Sequence, residues 1–318
     1  MPDVEVGEAR AGTSGISRRP FIGYLIAAPT LVAAADLRAA PPASASVPTV
    51  QPVDFYDLTD LLTDAANLTA SLITVTINPD GTASFALPRA EAGQGITTAV
   101  AMVIADELEL PLNRVNITLS DARPELEFNQ LTGGSNSMHV LYDQVRVAAA
   151  IARGQLAQTA ATQLETPLPK LALKNGVITA PDGTSLSYGS LANAAAASRT
   201  QAVLAQLKPT SQQTLVGTPQ TRIDAVQIVT GTKQFAMDLD VPGALPTMVC
   251  RPPTINGTAL AVLNETEVGA MDGVTDVAII PHTQFVPGGV AVRATTFGQC
   301  IDAVRALQVQ WAPGAAAG

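Results

Sequence analysis

Glu91-Ala92-Gly93-Gln94-Gly95 and Leu131-Thr132-Gly133-Gly134-Ser135-Asn136 are two glycine-rich turns that decide how the chain folds. Each turn is followed directly by a long segment in which apolar residues recur at helical spacing, the first ending at Leu108 and the second at Leu164. Between the two segments, the alternating run Val115–Leu119 predicts a β-strand. The stretch therefore predicts a turn, a helix and a strand, followed by a second turn and a second helix.

The two predicted helix starts are candidate binding sites for an anion. The first turn of a helix has unpaired backbone N–H groups and a partial positive charge, which together attract phosphate. Glycine before such a helix lets the backbone approach a ligand closely and adopt a positive φ. Two such starts would hold two parts of one large phosphate-bearing cofactor. On spacing alone the alternative stays open that the glycines only shape helix entries over an ordinary core, because Gly-x-Gly is a weak motif.

Residues 90–161 resemble the molybdopterin-binding segment of the xanthine dehydrogenase/aldehyde oxidase family, in particular that of large subunits of the isoquinoline 1-oxidoreductase type. The two glycine turns, their separation and the strand between them carry the resemblance. It implies that the turns contact the pterin and phosphate part of a molybdenum–molybdopterin cofactor, expected in its cytosine dinucleotide form. The implied cofactor-binding residues are Gly93, Gln94, Gly95, Gly133, Gly134, Ser135 and Asn136.

The resemblance extends over residues 70–313 and implies an α+β fold. A molybdopterin-binding domain segment is expected at residues 51–207, which contain hairpin patterns around Asn78-Pro79-Asp80-Gly81 and Asn175-Gly176. Residues 208–221, rich in Pro, Gln and Thr, are interpreted as a linker. An α/β hammerhead domain is expected at residues 222–314. A cofactor segment that precedes the hammerhead is the permuted order of the isoquinoline oxidoreductase type.

Residues 1–50 are not expected to join a packed core. Ser17-Arg18-Arg19-Pro20-Phe21-Ile22 precedes a short apolar run, and Ala/Pro/Ser-rich sequence follows. This pattern resembles a twin-arginine export signal with a candidate cleavage region at Ala43-Ser44-Ala45, and it predicts an exported, periplasmic protein. Such a route suits a protein that folds around a cofactor made in the cytoplasm. The alternatives are a mobile Ala/Pro-rich tail with chance arginines, and a cytoplasmic location.

Composition narrows the class of protein. The 318 residues are 47% hydrophobic and 14% charged, so the chain has enough apolar side chains for a sizeable core. The formal net charge of -9, without a basic cluster interleaved with aromatic residues, argues against nucleic-acid binding. The two cysteines, Cys250 and Cys300, are far apart and cannot supply the thiolates of an iron–sulfur cluster or structural zinc. Both are predicted to be buried free thiols.

No catalytic residue and no metal ligand are predicted within this chain. His139 and His282 are the only histidines and lie in unrelated contexts. The sequence has no HExxH, P-loop lysine or Ser-His-Asp pattern. In the related family the metal is held by the dithiolene sulfurs of the pterin, so the lack of protein ligands does not argue against molybdenum.

Two groups of acids are candidate functional residues. Asp106, Glu107 and Glu109 end the first predicted helix and are interpreted as its solvated face. Glu125 and Glu127 lie in the stretch that leads to the second glycine turn. A surface loop is the favoured interpretation there, and a position beside a substrate channel is the alternative.

The resemblance implies hydroxylation of an N-heteroaromatic compound or an aldehyde, with water as the source of oxygen. The family's Gly-Gly-Gly-Phe-Gly turn and general-base glutamate belong to a further domain, and neither motif occurs here. The expected partners are a chain with the remaining molybdenum-binding domain, a small 2Fe–2S subunit and a cytochrome c. Two alternatives stay open: an exported binding or scaffold module that lost the cofactor, and a truncated remnant that does not fold by itself.

Overall fold

The structure, a computed structural model, describes residues 21–37, 58–283 and 286–314. The chain divides into two compact units between Met237 and Asp238. Each unit combines helices with strands, so the expectation of a mixed α and β fold is confirmed at that level. The permuted and hammerhead arrangements stay predictions. The twin arginines and the candidate cleavage region of the predicted export signal lie outside the described residues.

The first unit is built around one six-stranded sheet. Its helices and strands, in chain order, are β1 (Phe21–Ile26), β2 (Val32–Asp36), α1 (Leu58–Asn67), β3 (Thr74–Ile77), β4 (Ala83–Leu87), α2 (Ile96–Leu108), β5 (Val115–Leu119), α3 (Glu127–Gln130), α4 (Ser137–Gln163), β6 (Ala172–Lys174), β7 (Val177–Thr179), β8 (Ser185–Ser187), α5 (Tyr188–Ala192), β9 (Gln201–Ala205) and α6 (Ala225–Val229). The large sheet has the strand order β5-β4-β3-β2-β1-β9, and β6-β7-β8 form a smaller sheet.

Strand direction places the first glycine turn. All neighbours in the large sheet are antiparallel except β4 and β5, which are parallel. A parallel pair requires a crossover connection, and α2 supplies it. The turn at residues 91–95 is therefore the connection from the end of β4 into the crossover helix. Four predicted elements agree closely with the structure. They are the hairpin β3–β4, the strand β5 and the two long helices α2 and α4.

Helix α4 packs on the sheet and contributes one buried face to the core. It packs against β1, β2 and β3 and also against α2. Its buried positions are mostly alanine, valine and leucine, and the small alanines let strand backbones approach the helix closely. The backbone of β1 comes close to α4 at Gly23. A Cβ atom there would lie 2.2 Å from Cδ1 of Ile151 in α4 and 2.3 Å from the carbonyl oxygen of Ala34 in β2.

The N-terminal hairpin corrects the expectation that residues 1–50 stay outside a packed core. Strands β1 and β2 pair in register from Ile22 opposite Asp36 to Ile26 opposite Val32, and they lie between β3 and β9. Leu25 and Leu31 are almost fully buried. The run predicted to be the apolar part of an export signal is thus a hairpin within the sheet, because the sheet and α4 bury its apolar side chains.

Residues 208–216, which the sequence predicts to be part of a linker, pack on the first unit instead. Asp106 is buried, and its carboxylate accepts hydrogen bonds from the backbone N–H groups of Thr214, Leu215 and Val216 at 2.9–3.0 Å. Lys208 is also buried and donates from Nζ to the carbonyl oxygen of Asp106 at 2.7 Å. Burial alone would raise the pKa of Asp106, but these hydrogen bonds and the Lys208 charge hold it below its usual value.

The neighbouring Glu107 shows that the acids at the end of α2 are not a solvated face. Its carboxylate is buried and forms ion pairs with Arg146 at 3.1 Å and Arg153 at 2.9 Å, both from α4. It also accepts the backbone N–H of Lys208 at 2.9 Å. Since isolated buried charges are costly, the matching cations on a distant segment are what permit two acids at this position.

The second unit is built from two small antiparallel sheets and two helices. Its elements are β10 (Thr247–Cys250), β11 (Thr258–Val262), α7 (Glu265–Gly269), β12 (Val274–Ile280), β13 (Gly289–Ala294), α8 (Phe297–Ala306) and β14 (Val309–Ala312). The strand orders are β10-β13-β12 and β11-β14. Its small core centres on Val268, Val292 and Ala303. Cys300 is a buried free thiol as predicted, whereas Cys250 is only half-buried.

Substitution Gly23→Ala tests whether β1 belongs to the core. The added methyl group meets Ile151 and the backbone of β2, so we expect the free energy of unfolding to fall by about 1–3 kcal/mol. Gly154→Ala is the matched control, because Gly154 lies in α4 with open space around its Cβ position and should gain about 0.5–1 kcal/mol. Urea unfolding of both variants measures the difference, and an unchanged midpoint for Gly23→Ala contradicts the buried hairpin.

Candidate cofactor site

The two glycine turns predicted from the sequence face one cleft. We call residues 91–95 the first corner and residues 131–136 the second corner. The first corner joins β4 to α2, and the second joins α3 to α4. An open cleft of about 480 Å³ lies between them. It is lined by Ala92, Gln94, Gly95, Ile96, Ala99, Thr132, Gly133, Ser135, Ser137 and Met138. The fold thus brings together the starts of the two long helices, as the sequence predicted.

A hydrogen bond joins the residue before the first corner to the second corner. The backbone N–H of Ala90 donates to Oγ1 of Thr132 at 2.9 Å. Thr132 is thus a site residue, a role that the sequence alone does not reveal. The available signal was a hydroxyl residue directly before a Gly-Gly pair, but its partner lies 42 residues away in sequence and cannot be deduced from local pattern.

Glu91 closes the first corner from inside, which corrects the expectation that the start of α2 attracts an external anion. Its buried carboxylate accepts the backbone N–H groups of Gly93 at 2.9 Å, Gly95 at 3.0 Å and Thr97 at 3.2 Å. Oγ1 of Thr97 donates to it as well, at 3.0 Å. The positive end of the helix dipole therefore faces the chain's own acid, which also accepts one N–H group of the first turn of α2, that of Thr97.

The charge of Glu91 is stable near neutral pH. Burial alone would raise the pKa of this carboxyl, but the hydrogen bonds from Gly95, Thr97 and Gly93 outweigh burial and hold the pKa below its usual value. Sequence reasoning missed Glu91 because an acid next to a glycine turn is also common on protein surfaces. Its position immediately before Gly-Gln-Gly, within reach of a helix start, was the usable signal.

Arg222 braces the same corner from a distant part of the first unit. Its guanidinium donates to the carbonyl oxygen of Gly93 and approaches Glu91 at 3.5 Å, while Asp224 pairs with it at 2.9 Å. The backbone N–H of Ile223 donates to Oγ1 of Thr98 at 3.1 Å. Residues 222–224, predicted to begin the second domain, therefore pack within the first compact unit, and the division falls after Met237.

Gln94 shapes the first corner with its own side chain. Oε1 accepts the backbone N–H of Ala92 at 2.6 Å, and Nε2 donates to the carbonyl oxygen of Ala90 at 2.7 Å. The side-chain amide thus makes two hydrogen bonds to the backbone next to it, and the residue is exposed at the cleft.

Three of the predicted glycines have open space where a side chain would be. A Cβ at Gly93, Gly133 or Gly134 would have no heavy atom within 4 Å. Gly93 and Gly134 adopt positive φ, at 101° and 59°, a conformation that favours glycine. Gly133 does not, so its backbone conformation alone would tolerate alanine. The exposed backbone at these turns leaves room for a ligand to approach closely.

The second corner contains buried polar groups that lack partners. Asn136 precedes α4 and is buried, and its Oδ1 accepts a hydrogen bond from Nη1 of Arg89 at 3.2 Å. Nδ2 of Asn136 and both Nε and Nη2 of Arg89 have no hydrogen-bond partner in the part of the chain that the structure describes. Burial lowers the pKa of Arg89 to about 10, so the guanidinium is charged at neutral pH.

The predicted site residues divide into two groups. Gln94, Gly95, Gly133 and Ser135 line the cleft. The remaining three, Gly93, Gly134 and Asn136, belong to the same two corners but do not line it. Binding of the cofactor by any of them stays a prediction.

The remaining candidate residues include Glu125, His139 and His282. Glu125 is exposed and pairs with Arg123 at 2.7 Å, in agreement with a surface position. Nδ1 of His282 accepts the backbone N–H of Gly288 at 3.5 Å, and His139 is exposed. Within the described residues, no group of three or more His, Cys, Asp or Glu side chains is arranged to hold a metal ion. None of the described helices is long and apolar enough to cross a membrane.

The residues of the two corners, together with Arg89, fit an organic anionic cofactor better than a bare metal ion. Open glycine backbone gives room for a flat ligand, the buried unpaired donors of Arg89 and Asn136 lack an acceptor, and oxygen or sulfur ligands for a metal are not clustered among the described residues. Molybdopterin, which brings its own sulfur ligands to the metal, has the chemistry that such a donor set accepts.

Comparison with known proteins also indicates a molybdopterin-binding domain. The family model of the molybdopterin cofactor-binding domain matches residues 43–230. The chain is 32% identical over 244 residues to the membrane-bound aldehyde dehydrogenase [pyrroloquinoline-quinone] of Gluconacetobacter polyoxogenes, covering 75% of this chain and 31% of that protein. It is 31% identical over 247 residues to the B subunit of nicotinate dehydrogenase of Pseudomonas putida, covering 75% and 20%.

A third relative and two solved structures complete the comparison. The beta subunit of isoquinoline 1-oxidoreductase of Brevundimonas diminuta is 29% identical over 297 residues, covering 78% of this chain and 37% of that protein. Quinoline 2-oxidoreductase from Pseudomonas putida 86 aligns with TM-score 0.32 and 19% identity over 42% of this chain and 18% of that chain. The Cu,Mo-CO dehydrogenase aligns with TM-score 0.34 and 22% identity over 41% and 18%. The chain spans 20–37% of the curated relatives' lengths.

Substitution Glu91→Gln tests the internal closure of the first corner. The neutral amide loses charge-assisted hydrogen bonds from buried N–H groups, so we expect the free energy of unfolding to fall by about 3 kcal/mol at pH 7. Because the folded-state pKa is lowered, this contribution is fully present above the unfolded pKa of about 4.3 and is lost as pH falls through the folded value.

Urea unfolding between pH 7 and pH 3 checks the Glu91 prediction, with Glu125→Gln as the matched control on an exposed acid. The control should unfold like the original protein at pH 7. A stability difference between the original protein and Glu91→Gln that does not shrink in acid would contradict the assignment.

Proposed function

We propose, from the premise that the chain belongs to the molybdopterin cofactor-binding domain family, that it forms the cofactor-gripping part of a molybdenum hydroxylase. The family model covers residues 43–230, which include both corners and the cleft between them. The observation that carries the proposal is the meeting of two glycine corners, far apart in sequence, on one cleft with open backbone. A protein surface built only for packing has no need of such turns.

The chain's own residues would bind and orient the cofactor. Gly133 and Gly93 leave space for the ligand to approach the backbone, and Gln94 holds the first corner in shape from within. Thr132 joins the second corner to Ala90, the residue before the first corner. When bound, the molybdenum cofactor supplies the oxidation chemistry of the hydroxylation, with water as the source of oxygen.

No residue of this chain is assigned to proton transfer. Glu91, the acid of the first corner, accepts four hydrogen bonds, and Asp106 and Glu107, at the other end of α2, are paired with cations. We propose that the general-base glutamate comes from the further molybdenum-binding domain that the family resemblance implies. This chain alone would then bind cofactor without turning over substrate.

The proposed substrates are N-heteroaromatic compounds or aldehydes. The similar proteins are named for an aldehyde, for nicotinate and for isoquinoline, which supports this range without choosing within it. We propose the cytosine dinucleotide form of the cofactor, a 2Fe–2S partner subunit and a cytochrome c as electron acceptor. Export remains part of the proposal, as does a separate chain or domain that completes the molybdenum site.

Two alternatives compete with this proposal, one in function and one in the identity of the cofactor. One is an exported binding or scaffold module that kept the fold without the cofactor. The other concerns the cofactor itself, because the name of one relative includes pyrroloquinoline quinone. The absence of a clustered set of metal ligands among the described residues does not separate these possibilities, whereas direct analysis of bound cofactor does.

The test is to express the chain with the reading frames that flank it in its genome and to purify the complex through a tag on this chain. Molybdenum is measured by mass spectrometry, and pterin and pyrroloquinoline quinone by chromatography after extraction. Near-stoichiometric molybdenum and pterin support the proposal. A folded complex with neither favours the scaffold function, and quinone without molybdenum overturns the choice of cofactor.

Substitution Gly133→Ala tests the cleft directly. Its Cβ would enter open space and its φ is not in the left-handed region, so the stability of the empty protein should not change. A methyl group between the backbone and a bound cofactor should lower the molybdenum and pterin content of the complex by about tenfold, as expected for overpacking.

Gly154→Ala serves as the control for Gly133→Ala, because it also adds a methyl group in open space but lies in the middle of α4. It should retain full cofactor content. Equal content in both variants would show that ligand does not lie against the second corner.

A further inference from the structure

We infer that Arg222 is a positioning residue of the cofactor site, which holds the peptide bond between Gly93 and Gln94 in one orientation from a segment tied to both ends of α2. The inference rests on the proposed function, because it concerns how the first corner receives the cofactor. It goes beyond that function by assigning a role to a residue that lies outside both corners and does not line the cleft.

Residues 208–224, which we call the strap, pass along α2 from its end to its start. Near the end of α2, the carboxylate of Asp106 accepts the backbone N–H groups of residues 214–216 at 2.9–3.0 Å. In the first turn of α2, Oγ1 of Thr98 accepts the backbone N–H of Ile223 at 3.1 Å. The strap is therefore antiparallel to the helix and is bonded to it near both ends.

The strap is anchored to the first unit before it reaches the first corner. Leu215 and Val216 pack against the main hydrophobic core, and Nε2 of Gln213 donates to the hydroxyl of Tyr142 in α4 at 3.3 Å. The contact of the strap with the first corner is then made by Arg222. Packing elsewhere in the first unit, rather than a ligand, therefore places Arg222.

The guanidinium of Arg222 is held in one plane by its neighbour Asp224. Nε and Nη2 donate to the two carboxylate oxygens of Asp224, at 2.9 Å and 3.0 Å, and Asp224 is buried. Such a two-point pair has one preferred geometry. The remaining nitrogen, Nη1, donates to the carbonyl oxygen of Gly93, while Nη2 also lies 3.5 Å from the carboxylate of Glu91. The pair with Asp224 thus directs Nη1 at one carbonyl of the corner.

The peptide between Gly93 and Gln94 is the part of the first corner that needs such a hold. Gly93 has a φ of 101° and no heavy atom within 4 Å of its Cβ position, so steric contacts do not fix this peptide. Glu91 holds the N–H groups of Gly93 and Gly95, on either side of it. The N–H of Gln94 has no hydrogen-bond partner among the described residues. The bond from Arg222 is therefore the one that sets the orientation of this peptide.

The orientation of this peptide determines what the corner presents to a ligand. In a trans peptide the carbonyl and the N–H point in opposite directions, so fixing the carbonyl of Gly93 also fixes the N–H of Gln94. With the carbonyl bound to Arg222, that N–H points away from the strap. A flipped peptide would place a carbonyl oxygen there instead, next to two residues that line the cleft, Gln94 and Gly95. Electronegative atoms of a cofactor would then meet an acceptor in place of a donor.

Arg222 also lies against the backbone that lines the cleft. Its Nη1 is 3.7 Å from the position that a Cβ would take at Gly95. Its side chain is 32% exposed, whereas Lys208, at the other end of the strap, is almost fully buried in its pairs with Asp106 and Glu109. Because Arg222 is partly exposed, its loss should disturb the corner far more than the stability of the whole unit.

The first measurement needs no cofactor. Amide hydrogen exchange of the purified full chain is followed by mass spectrometry in peptides that cover residues 91–97. In Arg222→Met, exchange there should be about tenfold faster, as expected for the loss of one charge-assisted hydrogen bond, with a nearly unchanged urea midpoint. Arg293→Met is the matched control, because it removes an arginine that pairs with Asp276 on the surface of the second unit. It should leave exchange at residues 91–97 unchanged.

The second measurement follows the loss of molybdenum and pterin from the purified complex during dialysis. Arg222→Met should lose them about tenfold faster than the original protein, and Arg293→Met should lose them at the original rate. Arg222→Lys should lose them at an intermediate rate, because lysine keeps a charged donor for the carbonyl of Gly93 but cannot form the planar two-point pair with Asp224.

The outcomes separate the inference from the proposed function. Unchanged exchange at residues 91–97 in Arg222→Met, or an equal change in Arg293→Met, overturns the inference. Faster exchange with an unchanged rate of cofactor loss also overturns it, because Arg222 would then hold the turn without positioning the ligand. Faster exchange throughout the first unit with a lower urea midpoint does the same, since it would make Arg222 a residue of general stability. An original complex without molybdenum or pterin overturns the proposed function, and the exchange data still decide whether Arg222 holds Gly93.

Discussion

The carboxylate of Glu91, buried at the start of α2, is the interaction on which the geometry of the site depends. It accepts three backbone N–H groups and one hydroxyl within seven residues, so the Gly-Gln-Gly turn wraps around it. Because charge-assisted hydrogen bonds are strong and the acid is buried, the turn has one favoured shape without any ligand. Arg222 then holds the outside of that turn, and Ala90 transmits its position to Thr132 and the second corner.

Buried acids also accept hydrogen bonds at the other end of α2, where they hold a different part of the chain. Asp106 accepts a row of backbone N–H groups from residues 214–216, and Glu107 gathers two arginines of α4. Both ends of the crossover helix are thus fixed by buried acids that draw a distant segment onto it. These acids explain why residues 208–216, polar and without secondary structure of their own over most of their length, are ordered on the first unit.

The sequence predicted the parts of this architecture that repeat locally. Apolar spacing located α2, α4 and β5, and turn residues located the hairpins, because both signals reflect which face of an element is buried. It failed where a partner lies far away in the chain. The hairpin β1–β2 has too short an apolar run to reveal its neighbours β3 and β9, and Asp106 looks solvated until Lys208 is brought to it. The sequence predicts two equivalent turns because Arg89 meets its partner Asn136 only through the fold, and an acid beside a glycine turn, as at Glu91, is not a distinctive pattern.

The difference between the corners follows from where each one places its charge. The first corner has a buried acid at the start of α2, whereas the second has a buried cation, Arg89, that donates a hydrogen bond to Asn136, the residue before α4. Open glycine backbone is common to both corners, so glycine alone would make them alike. The buried charges make them different: Glu91 has its hydrogen-bond donors in place, whereas two nitrogen atoms of Arg89 have no partner among the described residues.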